Sequence, residues 1–322
     1  MAYVLGIDGG GSKTLAAVSG ASDLPAIGRL GMSGACIFPY IAPKGCNFNA
    51  VSREDARAAL AEAVSGALAS ARVSAGDISS VCAGVAGGAS PEVAAMISEI
   101  LGPLLPCASV RVVGDTVIAL ESAFPGGAGV VCISGTGSVA FGRNERGEMT
   151  RAGGWGRLVS DEGSGHWIGR RAISQCLNAM DQGRSSRLIT EIMEHWAIVT
   201  REQLVTRCHS DPIPNFSELF PVVLGVANEG DPLATEILDS AALKLARITQ
   251  IVLRRLWSGR SAQRVAITGS VFANAERIRH AFANLIRADR PEVQIRLSER
   301  QPIEGALQLA WENIGESGLA AS

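Results

Sequence analysis

Short apolar runs alternate with longer amphipathic segments along the whole chain, and the first pair of runs sits near its start. Apolar stretches at 3–7 and 15–18 flank Asp8, Gly9, Gly10, Gly11, Ser12, Lys13 and Thr14. Two strand-like runs joined by glycines predict a tight hairpin. A third strand is expected over 26–30, followed by a loop over 31–46 rich in Gly, Pro and Cys. Ser52, with Asp55 three residues later, reads as a helix start, and an Ala-, Leu- and Val-rich helix follows to about 71. Residues 79–86 form a buried strand in this reading, stopped by Gly87 and Gly88, and Ser90-Pro91 opens a helix to about 101. A strand over 111–113 delivers Gly114, Asp115 and Thr116 to a helix through Ser122, and Pro125, Gly126 and Gly127 then break the pattern.

At that point the chain restarts. A strand over 129–134, the turn Gly135-Thr136-Gly137-Ser138 and a strand over 139–142 repeat the opening unit of strand, glycine turn and strand. The repetition predicts a duplicated α/β architecture in which two loops face one another across a cleft. A helix is expected from about 161 to 180, and helical patterns dominate 184–257. A strand over 264–268 ends in Gly269-Ser270-Val271, and a strand at 293–297 and a helix at 305–314 complete the order. The expected domains are 1–118 and 119–322, the second with helical insertions; the last helix, 304–318, is a candidate to pack back on the first.

Composition narrows the class. At 322 residues there is room for two cores, and 47% hydrophobic content with 37 glycines fits an alanine-rich α/β protein with many tight turns. A formal net charge of -2 provides no field for nucleic acid or an anionic membrane. No apolar run reaches spanning length and no basic-then-apolar leader opens the chain, so a cytoplasmic location is expected. The seven cysteines, at 36, 46, 82, 107, 132, 176 and 208, form no C-x-x-C pair, which argues against structural zinc, an iron–sulfur cluster or a disulfide framework. Cys82 and Cys132 lie in apolar runs and read as buried, inert thiols.

The candidate chemistry gathers at the glycine turns. Gly9, Gly10 and Gly11 let backbone N–H groups approach an anion, and Ser12, Lys13 and Thr14 add donors and one positive charge. Asp8 repels a bare phosphate, but fits if a hydrated Mg²⁺ stands between them. The turn is neither a Walker loop nor a dinucleotide fingerprint: Ser12 separates Gly11 from Lys13, Thr14 stands where the fingerprint needs glycine, and a strand follows instead of a helix. Gly135, Thr136, Gly137 and Ser138 read as a second phosphate loop or as an ordinary hairpin turn. Asp115, at the carboxyl edge of a sheet, is either the cap of its helix or a general base for an attacking hydroxyl. Asp161 and Glu162 serve either as a helix start with dipole-favourable acids or, beside Trp155 and two glycine-rich turns, as acceptors for sugar hydroxyls. Asn47 is a turn-stabilising amide or a hydroxyl ligand. Gly269 and Ser270 either let an adenosine lie on the backbone or simply turn a strand into a helix. The four histidines are dispersed, without metal spacing.

With these residues the chain resembles the BadF/BadG/BcrA/BcrD-type ATPases, and within them the N-acetylglucosamine and glucosamine kinase branch of the actin-like superfamily. The resemblance rests on the 6–14 motif, Gly135-Thr136-Gly137-Ser138, Gly153-Gly154-Trp155-Gly156 with Asp161-Glu162-Gly163-Ser164, and Gly269-Ser270-Val271. It implies an α/β fold of two ribonuclease-H-like (actin-like ATPase) domains around a central cleft, ATP and Mg²⁺, and phosphorylation of a hexosamine at its 6-hydroxyl. By that likeness Asp115 is the base, while Asn47, Gly154, Trp155, Gly156 and Asp161 line the sugar. Thr14 and Thr136 meet the phosphates, Gly269 and Ser270 the adenosine, and Asp8 the metal's water shell. It also implies a homodimer acting on a small aminosugar. Residues 31–44 are longer than the family's corresponding loop. The rival readings are a nucleotide-dependent sugar sensor and an ATPase partner of the same fold. The dehydratase-activating branch of the family holds an iron–sulfur cluster, for which no suitably spaced cysteines are present.

Overall fold

Glycine turns and alternating apolar runs settle into two sheets of the same strand order. The computed structural model describes residues 2–11, 13–20, 37–46, 51–259 and 263–319. The strand expected at 26–30, Ser12 and Asn47 lie outside the described residues. The chain divides into two units, Met1–Gly127 with Ser298–Ser322, and Ala128–Leu297.

In the first unit β1 (Tyr3–Gly9) pairs antiparallel with β2 (Thr14–Gly20), which pairs antiparallel with β3 (Phe38–Ala42). On its other side β1 runs parallel to β4 (Ile78–Val85), and β4 to β5 (Ser109–Gly114), giving the order β3-β2-β1-β4-β5. Three helices follow the strands: α1 (Arg53–Ala71), α2 (Pro91–Leu104) and α3 (Asp115–Ala123). Ser52 caps α1 by accepting from the Asp55 N–H at 3.1 Å, and Ser90 caps α2 with Pro91 behind it. The central strand is apolar on both faces because both are covered. Leu5 and Ile7 pack with Leu60, Val64 and Ile97, while Val4 packs with Ile118, Leu307 and Ala310. Those last two come from the terminal helix, Pro302–Leu319, whose Asn313 also donates to Ser80 and Ser109 at 3.2 and 2.8 Å. The whole of α3 belongs to this unit, so the division falls after it.

The second unit repeats the plan. Its strands β6 (Gly129–Ser134), β7 (Ser138–Arg143) and β8 (Met149–Gly153) form an antiparallel meander. Strands β9 (Arg264–Thr268) and β10 (Gln294–Leu297) add in parallel beside β6, so the order β8-β7-β6-β9-β10 matches that of the first sheet. Between β8 and β9 the chain forms α4 (Gly165–Asp181), α5 (Arg187–His195), α6 (Arg201–Cys208), α7 (Phe220–Asn228) and the long α8 (Pro232–Leu256). After β9 come α9 (Ser270–Asn274) and α10 (Glu276–Asp289); the Pro302–Leu319 helix of the first unit is α11. The core of this unit joins Val130 and Cys132 to Leu245 and Val252 of α8 and to Phe272 and Phe282.

Three expectations need correction. The segment 31–46 is not all loop, since Phe38–Ala42 is the edge strand β3. Residues 149–153, given no element in the sequence reading, form the opposite edge strand β8. The helix expected from 161 begins at Gly165, with Ser164 as its cap. Asp161 stands before it in a left-handed conformation, φ 64°, that no helix start adopts. Among the described residues no helix is long and apolar enough to cross a membrane.

Candidate active site

In the first unit two carboxylates reach the carboxyl edge of one sheet. Asp8 lies at the end of β1, and Asp115 directly after β5, with β4 between them. Two strand spacings separate their backbones by roughly 10 Å. Asp115 is the first residue of α3, behind Gly114 as cap, and its Oδ1 accepts from the Thr116 N–H at 2.9 Å. Burial pushes the Asp8 carboxyl up to about 6, the negative charge of Asp115 pushes it the same way, and Lys13 opposes them. The two acids therefore share one field.

The turn after Asp8 closes on itself, the Gly10 N–H donating to the Lys13 carbonyl at 3.1 Å. Gly11 and Lys13 are exposed at its tip and Gly10 is half-buried. Thr14 is fully buried, and its hydroxyl donates to the Lys44 carbonyl at 3.0 Å. The hydroxyl thus holds the 44–46 segment beneath the turn.

The second unit carries a shorter turn. Ser134 pairs with Ser138, leaving three residues between them, and the Gly135 N–H donates to the Gly137 carbonyl at 2.9 Å. Thr136 is exposed at its tip. Both flanking serines are buried and anchor the chain that precedes α4: Ser134 donates to the Gly163 carbonyl and Ser138 to the Glu162 carbonyl, each at 2.9 Å. The Gly165 N–H, at the head of α4, donates to the Gly135 carbonyl at 2.8 Å. The start of α4 is thereby sewn to the turn.

Asp161 is drawn into the same arrangement. It is buried, its Oδ1 accepts from the Gly156 N–H at 3.2 Å, and a β-carbon at Gly137 would stand 2.7 Å from its Oδ2. Gly154, at φ 71°, leaves no room for a β-carbon, which would stand 2.8 Å from the Val139 side chain. Trp155 is 63% exposed, with the Arg151 guanidinium 4.2 Å from its ring centroid. Gly154, Trp155, Gly156 and Asp161 thus form one turn beside Gly137. Gly269 lies over the far side of the hairpin. Its φ of 100° and a 2.2 Å approach of any β-carbon to the Ser134 carbonyl admit glycine alone. His166 is buried edge-on to Phe216, and burial followed by the charges of Arg157 and Arg170 holds it down at about 4, a packed neutral imidazole.

Beside this turn opens a cavity of about 450 Å³. Gly135, Thr136 and Ser270, three residues singled out in the sequence, line it together with Gly165. The sequence reading missed the rest of the wall: Ser217, Asn274, and a face of α7 made by Phe220, Pro221, Leu224, Gly225 and Asn228. Their spacing of one, four, five and eight residues from Phe220 is the helical face that an apolar run such as 219–227 offers only once its neighbours are known. An apolar wall, glycine backbone and a few amide and hydroxyl groups suit a flat heterocycle with a ribose.

Two sheets of one strand order, an acid pair in one unit and a glycine-walled cavity in the other define a duplicated α/β protein. The profile of the BadF/BadG/BcrA/BcrD ATPase family matches residues 5–310, and the chain belongs to that family. It is 29% identical to the N-acetylmuramic acid/N-acetylglucosamine kinase of Clostridium acetobutylicum, over 96% of this chain and 98% of that one. It is 26% identical to the N-acetyl-D-glucosamine kinase of Dictyostelium discoideum, over 95% and 97%. Among solved structures it shares the fold of a ROK family glucokinase from Streptomyces griseus, with a TM-score of 0.59 at 17% identity over 96% and 98% of the two chains.

Proposed function

We propose that this chain is an ATP-dependent aminosugar kinase that transfers the γ-phosphoryl group of ATP to the 6-hydroxyl of glucosamine or N-acetylglucosamine. The observation that carries the reading is the acid pair: Asp8 and Asp115 on one sheet edge, the charge of Asp115 helping to push Asp8 up to about 6. Full-length similarity to two aminosugar kinases supports the choice of substrate.

Each residue then takes a role that its surroundings support. Asp115 accepts the proton of the sugar hydroxyl as its oxygen attacks phosphorus; a base so placed contributes about 10²–10⁴ in rate. Its tie to the Thr116 N–H keeps the carboxylate aimed from the start of α3. The amides of Gly11, Lys13 and Gly137, with the Thr136 hydroxyl and the Lys13 charge, bind phosphate oxygens, while Gly10 and Gly135 shape the two turns through N–H groups that already hold carbonyls. Thr14 and Ser138 act by shaping the two turns, since their hydroxyls already hold backbone carbonyls. The 450 Å³ cavity takes adenine and ribose against Ser270 and α7, with Gly269 turning the chain into Ser270 behind it. Asp161, with Gly154, Trp155 and Gly156, receives the sugar, and Asn47 completes that set.

The residues present fit Mg²⁺. Asp8 offers a hard carboxylate at the sheet edge where the charge of Asp115 already acts on it, and a hydrated divalent cation between Asp8 and phosphate would relieve that repulsion. When bound, Mg²⁺ supplies positive charge to the phosphate oxygens.

The test is a coupled ADP-release assay with Mg²⁺ and ATP over glucosamine, N-acetylglucosamine, N-acetylmannosamine, N-acetylmuramic acid and glucose, with the phosphate position read by NMR. Release that depends on an aminosugar, with phosphate on oxygen 6, is expected. Sugar and nucleotide binding without ADP release would replace the reading with a sensor. ADP release indifferent to sugar would replace it with an ATPase.

A further inference from the structure

A second cavity, of about 440 Å³, lies between α4 and α8 in the second unit, and its wall is charged rather than apolar. Trp167, Arg170, Arg171 and Ser174 line it from α4 at spacings of three, four and seven residues, one face of that helix. Ser240 and Lys244, four apart, line it from α8, and Glu162 closes one end. Three cations thus face one carboxylate in a concave space.

Several cations elsewhere on this unit have acidic partners. Arg187 pairs with Glu229, Arg201 with Asp181, and Arg277 with Asp239. Among the described residues Arg170, Arg171 and Lys244 make no ion pair; Arg171 has only the neutral amide of Gln175. Glu162 accepts from the Ser160 hydroxyl at 3.2 Å and leaves the wall with an excess of positive charge. Unpaired charges of one sign on a concave surface focus their field and hold a counter-ion in it.

We propose that this cavity is a binding site for a phosphorylated sugar. The guanidinium groups and Lys244 take the phosphate, which matches fork-shaped and point-charge donors alike. Trp167 offers an apolar face to a pyranose ring, and Ser174, Ser240 and Glu162 offer hydroxyl and carboxylate partners to its polar edge. The choice of an aminosugar phosphate rests on the kinase reading, whose product belongs to that class. Its occupant would touch Glu162, the neighbour of Asp161, but none of the residues assigned to the reaction.

The test is isothermal titration of the full chain, without nucleotide, using glucosamine 6-phosphate, glucosamine and inorganic phosphate. Saturable binding of glucosamine 6-phosphate, tighter than that of either fragment, is expected. Arg170→Ala and Lys244→Ala should each weaken it about tenfold, the scale of one charge-assisted hydrogen bond. Lys244→Arg should retain it, and Asp161→Asn should leave it unchanged. Circular dichroism establishes that each variant is folded, and the arginine variant carries the test if the alanine variant is not. The proposal is overturned by parental affinity in both alanine variants, by inorganic phosphate binding as tightly as the sugar phosphate, or by no saturable binding to the parent. This readout involves no turnover, so it stands or falls separately from the ADP-release assay.

Discussion

The two units share a strand order and a glycine turn after the first strand, yet they put different chemistry at equivalent places. In the first, β1 ends beside Asp8 and β5 hands over to Asp115, so the sheet edge is acidic. In the second, β6 ends in Ser134, whose hydroxyl holds the Gly163 carbonyl, and β10 is followed by Ser298. There the edge is free of carboxylates from the sheet, and the helices inserted between β8 and β9 build a cavity wall. The turns differ as well: four residues separate β1 from β2, three separate β6 from β7. A duplicated scaffold has thus divided its labour. On the proposed reading, one copy supplies the groups that would move a proton and meet a cation, while the other supplies the backbone and apolar surface for a nucleoside.

The sharpest way to break this contrast is to fill the cavity of the second unit. Gly225 lies within α7, and a β-carbon there would meet nothing within 4 Å. Gly225→Leu should weaken nucleotide binding by about 100-fold through overpacking of the site. It should also raise stability by about 0.5–1 kcal/mol, because leucine favours the helix where glycine does not. Unchanged ATP affinity by calorimetry would remove the nucleoside from this cavity.

A smaller effect probes the acidic unit. Asp8 has its folded carboxyl at about 6 against an ordinary value of 3.8, so the native state retains a proton that the unfolded chain has already released between those values. Stability from this group is present at about pH 4 and below, and is lost as pH rises through about 6. Asp8→Asn, neutral throughout, should therefore melt higher than the parent at pH 7–8, by about 1–2 kcal/mol, and match it near pH 4. Turnover should fall in the same variant. Parallel melting curves across that range would contradict the shared field. The smallest effect belongs to Ser138→Ala, which deletes the buried bond to the Glu162 carbonyl and should cost about 1–2 kcal/mol in thermal unfolding. A cost within error would mean that Ser138 does not secure the chain ahead of α4.

Much of this was legible in the residues, and the exceptions share a cause. Both glycine hairpins could be read because an apolar run on each side of a turn leaves few alternatives, and the repeat of that unit announced the duplicated plan. Asp115 was placed by the strand before it. The edge strands were harder. Phe38–Ala42 contains Pro39, which a central strand would exclude, but at a sheet edge proline needs no partner for a missing N–H. Met149–Gly153 buries only Ala152 and is held in place by its pairing with β7, not by a pattern of its own. The acids at 161 and 162 imitate a helix start, yet Ser164 caps α4 and accepts from the Trp167 N–H at 3.1 Å. Nothing in the chain reveals that Asp161 turns into the left-handed region to lie against Gly137. The cavity wall on α7 depends on which side of an apolar helix the core leaves uncovered, a fact of tertiary packing.

The central claim is that Asp115 takes the proton from the sugar hydroxyl. Asp115→Asn preserves an oxygen to accept from the Thr116 N–H, so the start of α3 stays intact. Rapid-quench single-turnover measurement of phosphoryl transfer, with nucleotide affinity measured alongside, isolates the chemical step. The account predicts a rate lower by about 10²–10⁴, with ATP affinity changed by no more than about threefold. A transfer rate close to that of the parent would contradict it.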